Sequence, residues 1–163
     1  MVSLTSPRLS RLQRHRIREG YRSLLGQLDP THFLTFNFGR AMRAGDARAT
    51  VELFWKKVER RALGRNWHRK PRFQRITAVA FAEHLASNLH WHCIAAVPVA
   101  FQASELEWTA TWSGLSHRGQ LDLQDIESRE AVARYITKGL ETEDHLDLVM
   151  VYAPTTPHKK VTR

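Results

Sequence analysis

The sequence predicts a single α+β domain, a central antiparallel β-sheet of about five strands flanked by helices. Three observations carry this expectation. Short runs rich in aromatic and β-branched residues recur along the chain, separated by segments whose apolar residues repeat at helical spacing. A length of 163 residues suits one well-buried domain and is short for two. An apolar share of 42% with five Trp supplies a core, whereas 25% charged residues is ordinary for a surface, so the chain reads as folded.

Residues 1–30 read as a basic N-terminal helical segment, 31–154 as the domain proper and 155–163 as a loose tail. In the first of these, Arg8, Arg11, Arg14, Arg16, Arg18 and Arg22 mix with Leu9, Leu12, Ile17, Leu24 and Leu25 at helix-like intervals until Asp29 and Pro30 break the pattern. HFLTFNFG, 32–39, alternates as a strand, with Phe33, Thr35 and Asn37 on one face and Leu34, Phe36 and Phe38 on the core face; Gly39 ends it. Val51, Phe54, Trp55, Val58 and Ala62 then recur at helical spacing, between Asp46 as N-cap and Gly64 as C-cap. Residues 74–83 are apolar on both parities, the mark of a central strand covered on both faces. A turn near Ala86 and Ser87 leads into LHWHCIAAVP, 89–98, a second buried strand that Pro98 closes. Residues 104–115 read as a short helix presenting Leu106, Trp108 and Trp112 and closed by Gly114, and 119–126 as a strand solvated on one face or near an edge. The segment from Ser128, an N-cap with Glu130 in the first turn, buries Val132, Ile136 and Leu140 as a stripe, and 147–154 forms the last strand.

The formal charge of +9 comes from 25 Lys and Arg against 16 Asp and Glu, and Arg is the commoner cation. A planar guanidinium fork matches phosphate oxygens, so the excess points to a polyanion, nucleic acid first, against the duller reading of an inert basic surface. Arg60, Arg61, Arg65, Arg69, Lys70 and Arg72 form its densest part, with Trp67 inside it, an arrangement suited to gripping single-stranded nucleic acid. Cys93, the one cysteine, cannot close an internal disulfide and falls inside a strand, which fits a core position in a reducing compartment. No apolar run reaches the length of a bilayer span and no secretion signal follows Met1, so no membrane partner is expected.

Chemistry concentrates on the strand 89–98. Side chains two apart on a strand share a face, so His90 and His92 aim at one point while Trp91 and Cys93 pack behind. Nine His make such a pair expected about 0.5 times by chance, so context has to decide between a metal site and two satisfied histidines. If the strand 74–83 pairs antiparallel with it, Glu83 falls opposite His90; a slip of one residue substitutes His84. Farther on, Tyr135 lies about 100° round from the centre of its helix's buried stripe, at the border of core and solvent, with Lys138 one turn later on the same flank. A lysine so placed favours a phenolate or orients a phosphate, and either suits a nucleophile.

FLTFNFG, LHWHCIA and YITKGL, in that order and on strand, strand and helix, resemble the three motifs of the HUH endonuclease superfamily, specifically of single-tyrosine rolling-circle replication initiator (Rep) proteins. The resemblance spans roughly residues 32–142. It implies a palm-like HUH or RRM-like sheet over 31–154, a divalent metal, Mn²⁺ or Mg²⁺, held by His90, His92 and Glu83, and attack on DNA by Tyr135 with Lys138 assisting. Thr35 and Asn37 become candidate DNA contacts. Single-stranded DNA or an origin hairpin is the implied substrate, nicked and rejoined through a 5′-phosphotyrosine, in a cytoplasmic, nucleoid-associated setting of plasmid or phage replication. Helicase and polymerase would come from the host or from separate proteins, because the chain carries no P-loop motif. The competing readings are a transposase, a relaxase using Tyr21 upstream of the His strand, or a non-catalytic basic DNA-binding module with a structural metal.

Overall fold

Strand β3 (His90–Ala96), the strand with both histidines, lies at the middle of the sheet. The computed structural model describes residues 10–84, 88–99, 101, 105–137 and 149–154. Along the chain these form α1 (Arg11–Leu28), β1 (His32–Asn37), α2 (Ala44–Leu63), the 3₁₀ turns Trp67–Arg69 and Arg72–Gln74, β2 (Thr77–Glu83), β3, α3 (Glu105–Leu115), β4 (Gln120–Asp125), α4 (Arg129–Ile136) and β5 (Val149–Tyr152). The five strands run in the order β4-β1-β3-β2-β5 with every neighbouring pair antiparallel, so the chain is the expected α+β fold. Both β2 and β3 are covered on both faces along most of their length, which is why their runs read as largely hydrophobic on both parities.

Strand alternation divides the burial between two faces. On one, Leu34, Phe36 and Phe38, with Trp91, Cys93, Ala80 and Met150, meet Val51, Phe54, Trp55 and Val58 of α2 and Trp108 and Trp112 of α3. Large side chains of this kind contribute about 1.5–3 kcal/mol each when buried, and the rings meet edge to face, as Phe36 and Trp112 do at 4.9 Å. The second face holds a smaller cluster, Phe33, Val79, Phe81 and Ile94, covered by Leu25 of α1 and by Ala133 and Ile136 of α4. Beyond Phe33 and Phe81 this face turns polar, and the register places Thr35 opposite His92, Asn37 opposite His90 and Glu83 opposite His90.

Local chemistry sets the element ends. Ser10 and Gln13 form a reciprocal capping box at the start of α1, and Asp29, at φ 53°, ends that helix in the left-handed region. Helix α2 starts earlier than the sequence suggests: Arg43 takes the N-cap position and Asp46 lies in the first turn, where its carboxylate complements the helix dipole. Gly64 ends α2 as expected, at φ 80°. Gly39, at φ 62°, packs so close to Arg118 that a Cβ would lie 1.9 Å from its carbonyl oxygen, which fixes the approach of the β1 end to the α3–β4 turn.

Other boundaries move by a few residues. Residues 72–74 form a 3₁₀ turn before β2 starts at Thr77, since Pro71 favours a turn there. Leu106 on α3 is exposed, while Trp108 and Trp112 are buried; α3 runs through Gly114 to Leu115. Ser128 caps α4, whose side chain accepts from the Ala131 amide, and Thr137 ends it with its hydroxyl turned back to the Ala133 carbonyl. The expected turn at Ala86 and Ser87, Leu140 of the α4 stripe, Lys138 and the tail 155–163 lie outside the described residues. Among the described residues, no helix is long and apolar enough to cross a membrane.

Candidate metal centre

Glu83, at the last position of β2, and His90, at the first of β3, face each other across the strand pair, with His92 two residues further along the same face. Glu83 Oε2 lies 3.8 Å from His90 Nε2 and 3.4 Å from His92 Nε2, and one ligand atom from each residue falls within 4.8 Å of the others. Ligands bound about 2.0–2.2 Å from one ion lie about 3–4 Å apart, so small side-chain rotations bring the three onto a shared cation. The register that admits Glu83 leaves His84 outside the set. It follows β2 with φ 54° and rests its ring 5.1 Å from that of His90.

Hydrogen bonds orient both imidazoles. Asn88 offers a carbonyl oxygen, which only accepts, 2.9 Å from His90 Nδ1; that nitrogen must carry the proton, and the Nε2 lone pair is left for the shared point. His92 Nδ1 pairs with the Thr35 hydroxyl at 3.0 Å from the neighbouring strand, a bond that holds the ring plane whichever partner donates and leaves Nε2 on the side of Glu83. His92 Nε2 is buried and, among the described residues, makes no hydrogen bond, with Glu83 Oε2 3.4 Å away. A buried polar atom in that position costs about 1–3 kcal/mol unless a ligand meets it, so the donor set fits a metal ion. Burial holds the His90 pKa below 6.5; the Asn88 carbonyl and Glu83 oppose the shift, and His92 and His84 add to it. Neutral imidazole, the metal-binding form, is thereby favoured.

Tyr135 reaches this face from α4. Its ring lies 5.2 Å from the His92 ring and edge-on to Phe33 at 6.0 Å, and Phe33 in turn stacks on His92 at 5.5 Å. The side chain is 44% exposed, the half-covered position its helical angle implies. A cleft of about 470 Å³ opens beside it, bounded by Thr35, His92 and Tyr135 and, on β4, by Asp122 and Gln124. Tyr21, on α1, also projects onto this face, but its ring packs edge-on against Phe81 at 5.2 Å and burial raises its phenol pKa, which disfavours a phenolate.

The remaining predicted residues are distributed differently. Thr35 bonds to His92, and the Asn37 side chain accepts from the Gly39 amide at 2.8 Å. Arg60, Arg61, Arg65, Arg69, Lys70 and Arg72 are exposed on the last turns of α2 and the turns after it, in the layer that covers the other face of the sheet. Trp67 is half-buried, with the Arg75 guanidinium 4.6 Å over its ring. Sequence reasoning missed Thr35 and the Asn88 carbonyl as orienting partners, and Asp122 and Gln124 as cleft walls. For Thr35 the one available signal was its place on the polar face of β1, but the β1–β3 register was not readable. Compared with known proteins, the chain matches no protein-family model, no curated protein and no solved structure.

Proposed function

We propose that the chain is a metal-dependent endonuclease and strand transferase of the HUH type, acting on single-stranded DNA or an extruded hairpin to initiate rolling-circle replication. The observation that carries the proposal is the ring of Tyr135 beside that of His92, on the face where Glu83, His90 and His92 converge. When bound, Mn²⁺ or Mg²⁺ would polarise a phosphate oxygen and offset the charge that develops there. His90, His92 and Glu83 would hold it, while Asn88 and Thr35 keep the two Nε2 atoms aimed. Phe33, stacked on His92 and edge-on to Tyr135, keeps both rings in place.

The Tyr135 oxygen attacks phosphorus as its proton passes to solvent or a neighbouring base. An O–P bond forms to the 5′ side of the nick, the bond to the 3′ oxygen breaks, and that oxygen takes up a proton to leave a 3′-OH. The phosphodiester energy is kept in the 5′-phosphotyrosine, so a second strand end can reverse the step and be joined. Lys138, one turn after Tyr135 in the sequence, assists in this reading through the resemblance to the single-tyrosine proteins.

The test is covalent capture on a pool of single-stranded oligonucleotides supplied with Mn²⁺. Wild type and Tyr21→Phe are expected to form a protein–DNA adduct stable to denaturation, and Tyr135→Phe none. His90→Ala is expected to lose the adduct while still binding DNA. An adduct that persists in Tyr135→Phe and disappears in Tyr21→Phe would move the chain to the relaxase arrangement, and DNA binding without any adduct would make it a non-catalytic module.

A further inference from the structure

Eight cations, Lys56, Lys57, Arg60, Arg61, Arg65, Arg69, Lys70 and Arg72, lie between residues 56 and 72, and all are exposed. The one acidic residue of that stretch, Glu59, is fully buried and already taken by Arg75. Among the described residues none of the eight is ion-paired, so their charge faces solvent uncompensated. Lys57, Arg60 and Arg61, at helical spacing, form one wall of an open groove between α2 and α3. The opposing wall is Ala110, Thr111 and Gly114, small and uncharged, so a backbone can approach closely; at Gly114 nothing lies within 4 Å of where a Cβ would be.

This patch is far from the metal centre in two directions. Helix α2 covers the face that carries Trp91 and Cys93, opposite to the face of His90 and His92. Its last turns also sit at the other end of the strands: Glu59 accepts from the Ile76 amide, just before β2 begins, while Glu83 lies at the far end of β2, about 20 Å away at ~3.3 Å per residue. A strand whose phosphate sits at Tyr135 is therefore not running over Arg60 and Arg61. The aromatic surface that single-strand binders offer is also reduced, because one face of Trp67 carries the Arg75 guanidinium.

We infer that the α2–α3 groove and the adjoining basic turns form a second nucleic-acid site that holds the phosphate backbone of duplex DNA flanking the strand that is cut. The inference rests on the endonuclease reading for the identity of the cut strand. Charge does the binding here, with no base readout, so affinity is steeply salt-dependent and tolerant of sequence. The metal face then receives a single strand while the opposite face anchors the paired arm from which it emerges.

The experiment compares the full chain with the triple variant Arg60→Glu, Arg61→Glu, Arg65→Glu on two substrates: a short single strand for adduct formation with Mn²⁺, and a duplex for binding across a salt series. Circular dichroism and thermal melting confirm that the variant folds, and Arg60→Gln, Arg61→Gln, Arg65→Gln provides a milder second version. The expected result is a duplex affinity at least about tenfold weaker, a log–log salt slope shallower by about 3 for three lost phosphate contacts, and an unchanged adduct rate on the short strand. Adduct formation that falls in parallel with duplex affinity would merge the two sites into one track, and an unchanged duplex affinity would make the patch inert; either overturns the inference. If the wild-type chain forms no adduct at all, the endonuclease reading fails, while the duplex comparison still decides whether this surface binds DNA.

Discussion

Thr35 does its work through another residue. Its hydroxyl, 3.0 Å from His92 Nδ1, holds the ring plane of a candidate ligand on the adjacent strand, and such partners tune a metal site without touching the ion. Thr35→Val keeps the β-branched shape on β1 and removes only that bond. Mn²⁺ affinity measured by titration calorimetry is expected to fall about 10–100-fold with the melting temperature of the metal-free protein little changed. An affinity equal to wild type would mean that the Thr35 bond does not position His92. The candidate ligands were legible because side chains two apart on a strand share a face, and because Glu83 ended an apolar strand with no apolar reason to be there. Their orienting partners were not: Thr35 is 57 residues from His92 in sequence, and the carbonyl of Asn88 leaves no mark in a side-chain pattern.

Between elements, a buried carboxylate ties the large core together. Glu59 of α2 accepts two bonds from Arg75, at 3.2 and 2.8 Å, one from the Ile76 amide and one from the Tyr152 hydroxyl of β5 at 2.6 Å. Burial and the neighbouring Glu59 carboxylate raise the Tyr152 pKa, keeping the phenol protonated as a donor. Glu59→Ala leaves the buried Arg75 cation without its partner and is expected to destabilise by about 3–5 kcal/mol, read as a lower urea midpoint at constant m. A change below about 1 kcal/mol would show that water reaches Arg75. Periodicity made the helices and strands visible, yet Glu59 sits inside a helical run among Lys and Arg, where it reads as one more surface charge. Only the packing of α2 against the β2 start and β5 turns it inward. The α2 start differs more simply: Asp46 resembles an N-cap by residue type, but Ala44, a strong helix former, opens the helix two residues earlier and leaves Gly45 and Asp46 in its first turn.

Across the whole molecule, an ion held by Glu83, His90 and His92 would clip together the ends of β2 and β3, two adjoining strands inside the sheet. An ion that binds only the folded chain stabilises it by mass action, about 2.7 kcal/mol at a concentration of 100 times Kd. That gain depends on pH through His90, whose folded pKa lies below 6.5 because burial penalises the imidazolium. Above 6.5 the imidazole is neutral in both the folded and unfolded states. As pH falls, the unfolded chain takes the proton first, so stability is lost from 6.5 downward through the lower folded value. The metal-bound form needs the same neutral ring, so the Mn²⁺-induced rise in melting temperature is expected to hold near pH 7 and to collapse below His90's folded pKa. In His90→Ala the rise should be small at every pH, and the acid-side loss of metal-free stability shallower than in wild type. A Mn²⁺ shift in His90→Ala equal to that of wild type would place the ion elsewhere in the protein and remove the electrostatic basis for cleavage beside Tyr135.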